Sequence, residues 1–153
     1  MLKKLDQKIL QSLQEDGRIS FTDLAKQVGL TTTPCIERVR KLEREGYIKG
    51  YTALLDAQKL EVGLVVFVQV RLNRSSKQTF EDFRRAIRKL AEVQECYLVT
   101  GSFDFLVKAR MRDMAAYRDF LEESILSLPG VQDSTSIAAM DIIKETLAIT
   151  VKA

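Results

Sequence analysis

Ser20–Gly46 reads SFTDLAKQVGLTTTPCIERVRKLEREG. The spacing predicts two helices joined by a tight turn, the second rich in Arg and Lys. Ser20 followed three residues later by Asp23 approaches a capping box, with Asp where Glu or Gln is usual. Leu24, Ala25 and Val28 recur at helical spacing, so Phe21–Val28 reads as a short helix with one apolar stripe. Gly29 supplies the positive φ that stops it. Thr31, Thr32 and Thr33 offer side-chain oxygens to cap the second helix. Pro34 fits only the first helical turn, where its missing N–H costs nothing.

The second helix is expected from Thr32 to Glu45. Ile36, Val39 and Leu42 lie on one side; Thr33, Glu37, Arg40, Lys41 and Arg44 lie opposite, and Arg38 flanks them. A buried stripe opposed by a basic, hydroxyl-rich face suits the major groove of double-stranded DNA. The N-terminal residues would meet base edges, and the Arg and Lys would meet phosphates. The candidate DNA-binding set is Thr31, Thr32, Thr33, Glu37, Arg38, Arg40, Lys41 and Arg44. The competing reading is a solvated charged face on an ordinary helical hairpin. The order helix–Gly–Thr–Pro–helix is more specific than a charge run.

The charge distribution agrees. Residues 1–50 hold 10 Lys+Arg and 7 Asp+Glu and so carry the whole net charge of +3, while residues 51–153 hold 14 of each. A polyanion partner is expected for the N-terminal part alone. With no His there is no Ser-His or Cys-His pair and no imidazole metal site. Neither a catalytic constellation nor a cofactor motif presents itself. Cys35 and Cys96 form no CxxC and suggest no disulfide framework. No apolar run approaches the ~20 residues of a membrane span, and the first 30 residues do not resemble a signal peptide. A cytoplasmic protein without membrane contact is the natural expectation.

Outward from the central stretch, Leu2–Asp16 reads as a first helix with Leu5, Ile9 and Leu13 on its apolar side, completing a tri-helical unit. Tyr47–Leu55 favours strand, either a wing or a linker strand, and residues 56–63 form the boundary. The expected domains are 1–60 and 61–153. In the second, Leu64–Leu72 is a strong strand and Thr79–Ala91 an amphipathic helix. Its outward Arg84, Arg85, Arg88 and Lys89 read as a solvated face more than as a second DNA contact. Val93–Thr100 and Phe105–Met111 read as a hairpin about Gly101–Asp104. Asp113 caps a helix carrying Met114, Tyr117, Leu121 and Ile125, which stops at Leu128-Pro129-Gly130. Ser134–Ile142 is a strand and Leu147–Val151 an expected last edge strand. The order β-α-β-β-α-β predicts an α+β, ferredoxin-like domain with both helices on one sheet face. The other face then calls for burial in a homodimer, which would set two recognition helices about 34 Å apart, one DNA turn.

The chain as a whole resembles the leucine-responsive regulatory protein/AsnC, or feast/famine, family of transcriptional regulators. The stretches that carry the likeness are LDQKILQSLQEDGRIS, LAKQVGLTTTPCIERVRKLEREGYIKGY, VQECYLVTGSFDF and LPGVQD. TPCIERVRKLE leans toward the leucine-responsive subgroup. The resemblance implies an N-terminal (winged) helix-turn-helix domain, with the motif on Phe21–Arg40. It implies a C-terminal domain that dimerises and assembles further, often to octamers, with an amino-acid effector bound between dimers. The implied effector loop is Gly101, Ser102, Phe103 and Asp104, with pocket contributions from Met114, Leu126, Ala138 and Ala139. Chemically, Gly101 lets a ligand approach the backbone, and Asp104 can accept from an α-ammonium group. From spacing alone, Asp104 is a turn residue that bonds its own turn. Ala138 and Ala139 stand where leucine-responsive members carry larger β-branched residues, and Ser102 where an acidic residue is more usual. These departures imply a roomier pocket suited to Met or an aromatic amino acid. An architectural DNA-wrapping protein without effector response is the alternative function.

Overall fold

The computed structural model describes residues 2–73 and 76–151. It divides into two compact units, Met1–Leu54 with Lys144–Ala153, and Leu55–Ile143.

The first unit is built on α1 (Lys4–Glu15), α2 (Phe21–Val28) and α3 (Thr32–Arg44). Ile9, Leu24, Ala25, Val28, Cys35, Val39 and Leu42 form its buried core, with Leu5, Leu13, Leu30 and Ile48 packed around them. The α2 cap differs from an ordinary capping box in one bond. Ser20 Oγ accepts from the Asp23 N–H at 3.1 Å, then donates to the Asp23 carboxylate at 2.6 Å. Asp is too short to reach back to the Ser20 N–H, so its carboxylate takes the hydroxyl instead. Gly29 ends α2 in the left-handed region at φ 74°, as its position predicts. Thr31 caps α3 without a side-chain hydrogen bond. Its hydroxyl therefore does not serve the cap that the sequence suggested.

Tyr47–Leu55 joins no sheet, so neither a wing strand nor a linker strand forms within this chain. β-propensity expresses fit to a neighbouring strand, and no described segment pairs with this one. Tyr51 instead donates from its hydroxyl to Glu43 on α3 at 2.9 Å. Burial and that carboxylate push its pKa up to about 12. The expected edge strand at Leu147–Val151 is likewise absent. Ile149 lies against α1, where the Gln14 side-chain amide donates to the Ile149 carbonyl at 3.0 Å and accepts from its N–H at 2.6 Å. One glutamine thus satisfies the backbone groups that a neighbouring strand would have paired.

The second unit is the predicted β-α-β-β-α-β fold. Strands β1 (Leu64–Leu72), β2 (Val93–Leu98), β3 (Phe105–Met111) and β4 (Val131–Ala138) form an antiparallel sheet in the order β2-β3-β1-β4. Val66, Val68 and Val70 stand opposite Ala109, Val107 and Phe105, and together they bury one sheet face. Phe83 and Ile87 of α4 (Lys77–Ile87) cover it, with Tyr117 and Phe120 of α5 (Met114–Phe120) and Ile125 of the π-helical turn Leu121–Ile125. α4 begins two residues before its expected start because Ser76 caps it through the Thr79 N–H at 3.3 Å. β4 starts at Val131, three residues before expectation. Gly130, at φ 74°, brings the chain so close to α4 that an added Cβ would meet Thr79 Cγ2 at 2.0 Å. The opposite sheet face is mixed. Val65, Phe67 and Leu106 alternate with Gln69, Lys108 and Arg110, and Lys108 pairs with Glu95 at 3.2 Å.

Candidate nucleic-acid interface and effector region

The candidate interface is the outer face of α3. Cys35, Val39 and Leu42 anchor the helix in the core. By helical periodicity this turns Thr31, Thr33, Glu37, Arg40, Lys41 and Arg44 outward, and all six are exposed. Thr32 is half-buried at the helix start. Lys41 lies 3.6 Å from Glu45, an exposed pair that a phosphate can displace at little cost. Arg40 and Arg44 hold no ion pair among the described residues. Burial pushes the Cys35 thiol up, keeping it protonated and unreactive within the core.

Arg38 is placed differently. Its guanidinium donates to the Asp6 carboxylate of α1 at 2.8 Å, with the side chains 33% and 14% exposed. The sequence put Arg38 on the flank of the basic face. The acid that engages it lies 32 positions away and has no local signal.

The predicted effector residues do not gather in one place. Gly101 and Ser102 are exposed in the β2–β3 turn, and Phe103 is half-buried. Asp104 is buried at 4% exposure. Its carboxylate accepts from the Leu72 N–H at 2.8 Å, and its own N–H donates to the Val70 carbonyl at 2.9 Å. Leu126, exposed, comes just after the π-helical turn and leads through Leu128 to Val131, which stands opposite Leu72. It therefore belongs to the Asp104 end of the sheet. Met114, Ala138 and Ala139 lie at the other end. Ala138 is opposite Val66, the Ala139 N–H donates to the Val65 carbonyl at 2.9 Å, and Met114 opens α5 just beyond Met111. Six strand steps along β3 separate the two groups, about 20 Å at ~3.4 Å per residue.

Each end has its own surface depression. One of about 560 Å³ is lined by Asp104 with Ser76, Lys77, Phe80, Leu98 and Thr100. The other, about 550 Å³, is lined by Ala139 with Gln58, Glu61, Leu64, Arg112 and Met140. Sequence reasoning missed Lys77, Phe80 and Arg112 as neighbours of these residues, because the sheet register that assembles them is set by distant strands. Among the described residues no cluster of three His, Cys, Asp or Glu forms a metal site, and no helix is long and apolar enough to cross a membrane.

Comparison with known proteins accounts for both units. Residues 65–149 match the family described as the Lrp/AsnC ligand binding domain, and residues 2–49 match winged helix-turn-helix DNA-binding. The chain is 50% identical over 151 residues to the leucine-responsive regulatory protein of Escherichia coli strain K12, covering 99% of this chain and 92% of that protein. A transcriptional regulator from Neisseria meningitidis, solved in complex with L-Met, superposes with a TM-score of 0.94 at 39% identity, covering 98% of this chain and 97% of that one. An AsnC family transcriptional regulator from Agrobacterium tumefaciens superposes with a TM-score of 0.93 at 38% identity, covering 97% of each chain.

Proposed function

This chain belongs to the Lrp/AsnC family of transcriptional regulators, and from that premise we propose how its residues divide the work. It is a DNA-binding regulator with an amino-acid-binding domain. In our reading, α3 enters the major groove. Thr31, Thr32, Thr33 and Glu37 face base edges, and Arg40, Lys41 and Arg44 hold phosphates. The observation that carries this is the exposed basic face of α3 set against its apolar anchor. The unit that holds α1, α2 and α3 binds DNA, and the unit that holds the sheet senses the effector and assembles. Such a regulator works where its DNA is, in the cytoplasm.

The effector site is composite. Gly101–Asp104 and Leu126 of one chain meet Met114, Ala138 and Ala139 of another, because one chain holds the two groups at opposite sheet ends. The turn's backbone N–H groups take the α-carboxylate. A site completed only by a second copy couples ligand to assembly, through homodimers that gather into octamers. The ligand shifts the population only if it binds one assembly state better than another. Small Ala138 and Ala139, with the L-Met complex of the similar Neisseria protein, favour methionine over leucine as effector.

The test is fluorescence-anisotropy binding to DNA from upstream of the chain's own gene, with each of the twenty amino acids in turn, alongside sedimentation. The expected result is sequence-preferring binding that L-Met shifts together with the assembly state. Binding that no amino acid shifts would refute the effector reading, and binding without preference over random DNA would favour an architectural role.

A further inference from the structure

We propose that Asp6 is a positioning residue for DNA binding. Its ion pair with Arg38 sets the pose of α3, and in doing so withdraws Arg38 from the residues that touch phosphate. The inference rests on the DNA-binding reading and adds a residue outside the helix-turn-helix.

The argument starts from what holds α3. Its apolar anchors Cys35, Val39 and Leu42 fix burial, but apolar contact is non-directional. Thr31 adds no side-chain cap bond. A charge-assisted hydrogen bond is directional, and the Arg38–Asp6 bond at 2.8 Å ties α3 to α1 across 32 positions of chain. Asp6 also sits in the first turn of α1, where the helix dipole favours a carboxylate.

The same geometry makes Arg38 a poor phosphate ligand. The Asp6 side chain is only 14% exposed. Were Arg38 to swing to a phosphate, a largely buried carboxylate would lose its partner, close to a polyanion that repels it. Arg40, Lys41 and Arg44 are exposed and reach phosphate without that penalty.

The experiment is a salt series of DNA binding by the full-length protein, comparing wild type with Asp6→Asn, Arg38→Met, the double variant and Arg40→Gln. Thermal unfolding is followed alongside. Arg40→Gln is expected to lower the slope of log K against log salt by about 0.9, the signature of one lost phosphate contact. Asp6→Asn and Arg38→Met are expected to keep the wild-type slope. Each should weaken binding at every salt concentration by a shared factor of roughly 3–10, the scale of coupling within one pair, and the double variant should be no weaker than Arg38→Met alone. The proposal is overturned if Arg38→Met lowers the slope as Arg40→Gln does while Asp6→Asn binds more tightly, since freeing Arg38 would then have added a contact. It is also overturned if both single variants bind as wild type. Should Arg38→Met fail to fold, the near-isosteric Asp6→Asn decides by the sign of its effect. A wild type with no salt-dependent binding would overturn the DNA-binding reading itself, and this inference with it.

Discussion

The Asp104 carboxylate accepts the Leu72 N–H at 2.8 Å, pinning the β2–β3 turn to the end of β1. Leu72 is 1% exposed, so no water replaces that acceptor. Asp104→Ala leaves the N–H buried and unmade, a cost of about 1–3 kcal/mol, read as a lower urea midpoint. Asp104→Asn keeps an acceptor in place and should cost less. It should nonetheless lose most of the effector response if the carboxylate's charge also meets an α-ammonium group. A full response in Asp104→Asn would leave Asp104 a scaffold residue alone.

The α2 cap carries a pH signature. The Ser20 hydroxyl, then Lys26, hold the Asp23 carboxyl below its ordinary value of 3.8. A carboxyl depressed by folding contributes stability that is present above its unfolded pKa. That contribution is lost as pH falls through the folded value. Because Asp23 is solvent-exposed, salt should shrink the effect. Carboxyl NMR titration should show the Asp23 pKa rising toward 3.8 in Ser20→Ala, with about 1 kcal/mol of stability lost with the cap. An unmoved titration would mean that Lys26 alone sets the shift.

Ala138 and Ala139 set the proposed room for the effector side chain. Replacing either with Val adds two methyl groups to one wall. Small changes of apolar volume shift selectivity by roughly 1–3 kcal/mol. Ala138→Val and Ala139→Val should therefore move the effector preference from methionine toward smaller branched amino acids, measured by calorimetry on the assembled protein. Equal loss for all amino acids would place these residues at the subunit contact rather than in the pocket.

Much of this molecule is legible residue by residue. Gly29, the Ser20–Asp23 spacing and the Leu24–Ala25–Val28 stripe place α2 correctly because caps and periodicity are local properties. The order of strands and helices from Leu64 to Ala138 is legible for the same reason. The outward face of α3 comes from a 100° step and the position of Val39 and Leu42.

Local patterns mislead where a residue's role depends on something distant. Leu147–Val151 and Tyr47–Leu55 have strand composition, yet a strand exists only beside a partner. Within this chain Gln14 and Glu43 take those segments instead. Arg38 has the composition of a phosphate ligand but is claimed by an acid 32 positions away. The effector residues form one set by resemblance, but the antiparallel register that places Val70 opposite Phe105 and Val66 opposite Ala138 divides them between the two ends of the sheet. Sequence by itself determined the three helices of the first unit, the order of elements from Leu64 to Ala138 and the basic outer face of α3, because each is written in spacing of a few residues. Only the tertiary structure decided which charges are already paired and which site residues one chain can bring together, because those depend on distances between segments that the chain's local patterns do not encode.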